Sequence, residues 1–160
     1  VVTAHGIALA AGAASSDWRR EVVPRFGAAA EIPSRGFVAL PDPENRDGRM
    51  WESSTDGGTI TLYGGFIVVT PDFASYRAWR EEAERESGTR ITYRAGGKDW
   101  FVISGRNGNR IVYERIENAC GGEAFVAIRF DYPAVAAKRW DAVVKRGAER
   151  LEALEAEACG

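Results

Sequence analysis

The sequence has 160 residues, 45% hydrophobic and 28% charged, an ordinary globular mixture that is long enough for one sizeable core and too short for two ordinary domains. With 21 Lys and Arg against 23 Asp and Glu, the net charge of -2 supplies no bulk attraction to phosphate backbones or anionic membranes, so a nucleic-acid partner is not expected. The one histidine, His5, stands where chain ends are poorly tied down, and an imidazole there cannot serve as the held base of a Ser-His-Asp or Cys-His site.

Residues 1–16 form an apolar run of small side chains ending in Ser15-Ser16, before Asp17 and Trp18. They read either as the remnant of a secretion signal, without its basic n-region, or as an Ala-rich linker. At about 14 residues the run falls short of the ~20 that cross a bilayer, so the chain is not expected to span a membrane. Residues 17–160 read as a single α+β domain.

Within it, residues 21–32 carry Val22, Val23, Phe26 and a run of Ala between Pro24 and Pro33, which reads as one irregular first strand. Residues 41–49 concentrate Pro, Asp, Asn and Gly and read as a surface loop. Residues 49–53 and 59–63 flank Asp56-Gly57-Gly58 as a hairpin, and the apolar residues 66–69 read as a strand leading into a helix. That helix is predicted over 71–87, with Thr70 as cap, Pro71 at its first position and Ser87-Gly88 as its stop. Phe73, Tyr76, Trp79 and Ala83 supply its buried face, and Arg77, Arg80, Glu81, Glu82, Glu84 and Arg85 a solvated one.

Four antiparallel strands follow. Thr89, Ile91 and Tyr93 share a side of the first, and residues 100–104 have two apolar faces, as in a central strand covered on both sides. Asn107-Gly108 and Cys120-Gly121-Gly122 turn the chain into residues 110–117 and 124–132, the latter with Val126, Ile128, Phe130 and Tyr132 on one side. After Pro133 a final helix carries the stripe Ala136, Trp140, Val143, Val144, Gly147, Leu151 and Leu154. Gly147 costs about 1 kcal/mol relative to Ala inside a helix, so it marks either a close approach to a bulky neighbour or a tolerated defect. Hairpins, helix, hairpins and helix, without βαβ alternation, predict an α+β fold: a mainly antiparallel twisted sheet with helices packed on it, as a two-layer or α/β/α sandwich.

Several local strings add a resemblance: Arg25-Phe26-Gly27, Asp47-Gly48-Arg49-Met50-Trp51, Ser54-Thr55-Asp56-Gly57-Gly58, Leu62-Tyr63-Gly64-Gly65, Ile91-Thr92-Tyr93-Arg94, residues 100–105 and 111–115, and Tyr132-Pro133. Together they resemble a group of exported alphaproteobacterial proteins whose domain is similar to the Mog1/PsbP-like fold. The resemblance implies that fold and export, and carries no catalytic residues with it. Ala28-Ala29-Ala30, where the group has larger apolar side chains, is the point of departure.

Chemistry finds little foothold. The Gly pairs at 57–58, 64–65, 96–97 and 121–122 lack a Lys-Ser/Thr or GxGxxG frame, and Asp42, Glu44, Asn45 and Asp47 fail the calcium-loop pattern at Arg46. No metal or cofactor is therefore expected. Trp51, Tyr93, Arg94, Trp100, Arg110 and Tyr113 are the candidate ligand or partner surface, against the competing use of such residues in packing and cross-strand pairs with Glu114, Glu117 and Asp131. Cys120 and Cys159 are either a disulfide in an oxidising compartment or two unrelated thiols. The expected function is a non-enzymatic periplasmic or secreted binding module for a protein or envelope component. The alternative is a carboxylate-dependent hydrolase of cell-envelope glycans.

Overall fold

The computed structural model describes residues 17–160, so both readings of residues 1–16 lie outside the described residues. Its strands are β1 (Trp18–Val23), β2 (Ala28–Pro33), β3 (Phe37–Ala39), β4 (Gly48–Ser53), β5 (Thr59–Phe66), β6 (Arg90–Gly96), β7 (Trp100–Asn107), β8 (Arg110–Ala119), β9 (Ala124–Pro133) and β10 (Glu152–Ala153). Its helices are α1 (Phe73–Glu86) and α2 (Ala137–Glu149). Seven strands form one antiparallel sheet in the order β3-β4-β5-β9-β8-β7-β6, and a smaller sheet has the order β1-β2-β10.

Each face of the large sheet has its own core. Phe73 and Tyr76 of α1 pack against Phe101, Ile103, Ile116, Phe125 and Ala127. On the opposite face Ile60, Leu62, Val126, Ile128 and Phe130 meet Trp140, Val144 and Ala148 of α2 and Ala28, Ala30 and Ile32 of β2. The result is the α+β sandwich that the alternating strand pattern predicts, with the small sheet sharing a layer with α2. Gly147 is the close approach: a Cβ there would lie 2.6 Å from the Phe130 ring.

Four expectations are corrected. Residues 21–32 are not one strand, because Pro24 to Gly27 turns β1 back onto β2, pairing Trp18 with Pro33 and Val23 with Ala28. The three alanines of β2 are at most 1% exposed, and their small side chains suit a strand packed directly beneath α2. Residues 67–69 form no strand, and Val68 is 82% exposed. Helix α1 is capped by Asp72, whose carboxylate accepts from Ser75 N–H at 2.8 Å, two residues later than the Thr70 cap. The final helix stops at Glu149, because residues 152–153 leave the helical path to pair with Ala28 and Ala29 of β2, although Leu151 stays buried.

Register adds a fifth. A bulge between Ile91 and Tyr93 places them on opposite faces of the sheet rather than on one side.

Candidate functional site

Two clusters of polar and aromatic side chains stand out, one on each face of the large sheet. The first is sealed beneath α1. Glu114 of β8 is directly opposite Arg129 of β9 and is 0% exposed. It accepts from Arg80 at 2.5 Å, from Arg129 at 3.2 Å and from the Tyr63 hydroxyl. Glu84 accepts from Arg80 at 2.9 Å, from both terminal nitrogens of Arg129 at 3.0 Å and from the Thr89 hydroxyl at 2.8 Å.

Burial alone would raise the Glu84 carboxyl, but the hydrogen bonds and charges of Arg129, Thr89 and Arg80 hold it down at about 2. Burial, reinforced by the Glu114 charge, pushes the Tyr63 phenol well up. Two carboxylates bridged by two guanidiniums are saturated, and an acid held at about 2 donates no proton near neutrality. The cluster is a docking device for α1. It corrects the reading of Arg80 and Glu84 as part of a solvated face.

The second cluster is open. Side chains alternate along strands, so the register sets which ones share the face that looks toward α2. Tyr93, Ser104 and Tyr113 form one cross-strand row, and Arg90, Arg106 and Ile111 another. Trp100 lies opposite Glu117, and Val102 opposite Arg115, in two further rows. The Arg115 guanidinium lies over the Trp100 ring at 4.3 Å and pairs with Glu117 at 3.1 Å. Tyr93 is 53% exposed.

Helix α2 covers β9 and reaches the near side of β8, because its main contacts run to β2, β9 and β8, and it leaves the β6 and β7 end of this face more open. Between the α2 wall and β8 lies a groove of about 350 Å³ with Tyr113, Arg115 and Tyr132 on one side and Asp141, Lys145 and Glu149 on the other. Burial raises the Tyr113 and Tyr132 phenols, helped at Tyr113 by neighbouring Tyr93 and at Tyr132 by Asp141, and both stay protonated donors. Asp141 and Glu149 sit eight residues apart on one helix, about 12 Å along its axis, which exceeds the separation either glycosidase geometry uses.

The six predicted surface residues thus divide. Tyr93, Trp100 and Tyr113 come together on the open face. Arg94 projects to the opposite face, 3.8 Å from Glu81 of α1. Arg110 is held by Asp131 at 2.6 Å. Trp51 is 1% exposed and belongs to the core beneath α2, so it contributes no surface. Cys120 and Cys159 form a disulfide, with Cα atoms 4.9 Å apart, that ties the tail to the end of β8. Among the described residues no group of three or more His, Cys, Asp or Glu is placed to hold a metal ion. None of their helices is long and apolar enough to cross a membrane.

The reading of the sequence missed the sealed cluster, and it left open whether the strand arginines Arg90, Arg106 and Arg115 share a face, favouring cross-strand pairs for them. The first left a legible signal: Val112, Glu114 and Ile116 share a strand side, so a carboxylate stands in an apolar row. The second depends on where α2 stops covering the sheet, which no local pattern encodes.

No family model matches the chain, and no curated protein matches it in sequence. Solved structures do match. The cyanobacterial PsbP of Synechocystis aligns with a TM-score of 0.63 at 9% identity, over 92% of this chain and 99% of that one. The Saccharomyces cerevisiae Ran-binding protein Mog1p aligns with a TM-score of 0.58 at 10% identity, over 86% of this chain and 97% of that one. A Mog1 point mutant aligns with a TM-score of 0.56 at 11% identity, over 89% of this chain and 100% of that one. The fold is therefore Mog1/PsbP-like.

Proposed function

We propose that residues 17–160 are one exported, non-enzymatic binding module that recognises a protein or cell-envelope component through the open β6–β8 face. The observation that carries this reading is the placement of Tyr93, Trp100, Tyr113 and Arg115 on one sheet face, from the groove beside α2 out to the more open β6 and β7 end. Rigid aromatics with a polar tip, flanked by arginine, supply contact area at low entropic cost, and strands hold them in place without rearrangement.

Two further observations support it. The Cys120–Cys159 disulfide fits an oxidising compartment, hence a periplasmic or secreted location. One structural neighbour is a Ran-binding protein, so the same fold serves protein recognition elsewhere. The sealed carboxylates of the α1 side and the spacing of Asp141 and Glu149 give the glycan-hydrolase alternative no support.

The test is capture from periplasmic extract by immobilised wild-type protein and by a Tyr93→Ala/Tyr113→Ala variant of unchanged melting temperature. A partner retained by the wild type and lost by the variant is the expected result. A partner retained equally by both, or none at all, rejects the reading.

A further inference from the structure

Among the described residues, strand β6 is the outermost strand of the large sheet and pairs with β7 alone. Its other row of backbone N–H and C=O groups faces outward, and Arg90, Thr92, Tyr93, Arg94 and Gly96 are exposed. The β3 and β1 edges are managed. Strand β3 is three residues long and runs into Pro41 and Pro43, features that blunt an edge. Along β1 the charges are matched within the chain: Arg19 and Arg49 to Glu21 at 2.8 and 3.5 Å, and Arg20 to Glu152 at 3.2 Å.

The β6 edge is different in kind. Between Gly88 and Tyr113 the sequence holds Arg90, Arg94, Lys98, Arg106 and Arg110 against one acid, Asp99. Asp99 is occupied by the Asn118 amide at 3.1 Å. Arg90 and Arg106 are direct cross-strand partners, a like-charge pair that disfavours the sheet on its own. Among the described residues neither has a carboxylate within ion-pair distance, and the same holds for Lys98. Arg94 shares Glu81 with Arg77 and Arg85 at 3.6 to 3.8 Å, so that single carboxylate serves three guanidiniums.

We infer that β6 accepts an extended acidic segment of a partner protein as an additional strand, whose carboxylates neutralise the opposed Arg90–Arg106 pair on the open face and Arg94 on the other. This deepens the binding-module reading and rests on it. The bulge between Ile91 and Tyr93 interrupts the first half of the strand, leaving Tyr93 to Gly96 as the regular run for main-chain pairing. Charge also decides against a second copy of the chain, because β6 against β6 would set arginine against arginine. Main-chain bonds would supply affinity while the alternating side chains of the guest read the two faces.

The probe is a short peptide alternating Glu and Thr, with two controls: the same peptide N-methylated at every second residue, and its Lys-for-Glu counterpart. Binding to the full chain is read by fluorescence anisotropy at low and high salt, and by hydrogen exchange of ¹⁵N-labelled backbone amides. The expected result is protection of amides in residues 93–96, a roughly tenfold loss of affinity in Arg90→Glu/Arg106→Glu, and weakening by salt. The N-methylated and Lys peptides should bind far more weakly. Equal binding of the N-methylated peptide would mean that charge alone acts, as for any polyanion, and would overturn the inference. Absence of binding at millimolar peptide would overturn it too, as would protection confined to the groove along α2. These results leave the open-face reading standing, since that reading falls only when Tyr93 and Tyr113 prove irrelevant to partner capture.

Discussion

The two faces of the large sheet treat arginine in opposite ways. Beneath α1, Arg80 and Arg129 are locked between Glu84 and Glu114 with the Tyr63 hydroxyl closing the set. On the open face Arg90 and Arg106 oppose each other with nothing inside the described chain to neutralise them. A charge removed from water needs a partner in the same molecule, whereas a charge left in water is free to find one in another. The sealed arginines therefore serve the fold, and the open ones are available for recognition.

The hardest way to break this contrast is Glu114→Ala, which strands two partly buried guanidiniums. We expect a loss of roughly 3–5 kcal/mol in urea unfolding, and a loss of less than 1 would mean that the cluster does not hold α1 to the sheet. Next comes the tail, which the Cys120–Cys159 disulfide ties to the end of β8. A Cys120→Ser/Cys159→Ser variant should lose about 2–4 kcal/mol, measured against the wild type with and without reductant.

Acid should act on the sealed face. The Glu84 carboxyl is held at about 2 in the folded state against 4.5 when unperturbed, so the unfolded chain takes up the proton first. The stability this carboxylate provides is complete above pH 4.5 and is lost as pH falls from there toward 2, by roughly 2 kcal/mol. Glu84→Gln should flatten that part of the stability profile, and an unchanged acid limb would refute the assignment. Asp56 titrates in the same window: burial works upward, but hydrogen bonds from Arg139, Trp140 and the Gly58 N–H hold it at about 2. The Glu84→Gln profile is therefore best compared with Asp56→Asn.

The smallest expected effect sharpens the comparison most. Arg90→Ala or Arg106→Ala should change stability by no more than about 0.5 kcal/mol, or raise it slightly by relieving the like-charge pair, while weakening the acidic peptide. A large destabilisation would show that these arginines belong to the fold after all.

The hairpins and the direction of most faces were legible in the sequence. Asn107-Gly108 and the row Val126, Ile128, Phe130 and Tyr132 required only local turn chemistry and a period of two, both properties of neighbouring residues. Tyr93, Trp100 and Tyr113 were legible as candidates for the same reason. The split of residues 21–32 into two strands was less so, because a turn ending in Gly27 at a φ of 72° lies inside a continuous apolar stretch.

Arg80 and Glu84 show the limit more sharply. Helical spacing placed them on the polar side of α1, and only the approach of Glu114 and Arg129 from the sheet made that side a buried one. Trp51 shows the reverse, a surface candidate that the packing of α2 took into the core.

By itself the sequence determined the antiparallel α+β pattern, the two helices and the absence of a placed imidazole from residues 17–160, since these follow from composition and local periodicity. Tertiary structure alone decided which charges are sealed and which stay open, where α2 ends, and which end of the sheet face is left more open. Those outcomes depend on residues far apart in the chain meeting at one place, and desolvation, which sets their energy, exists only once they have met.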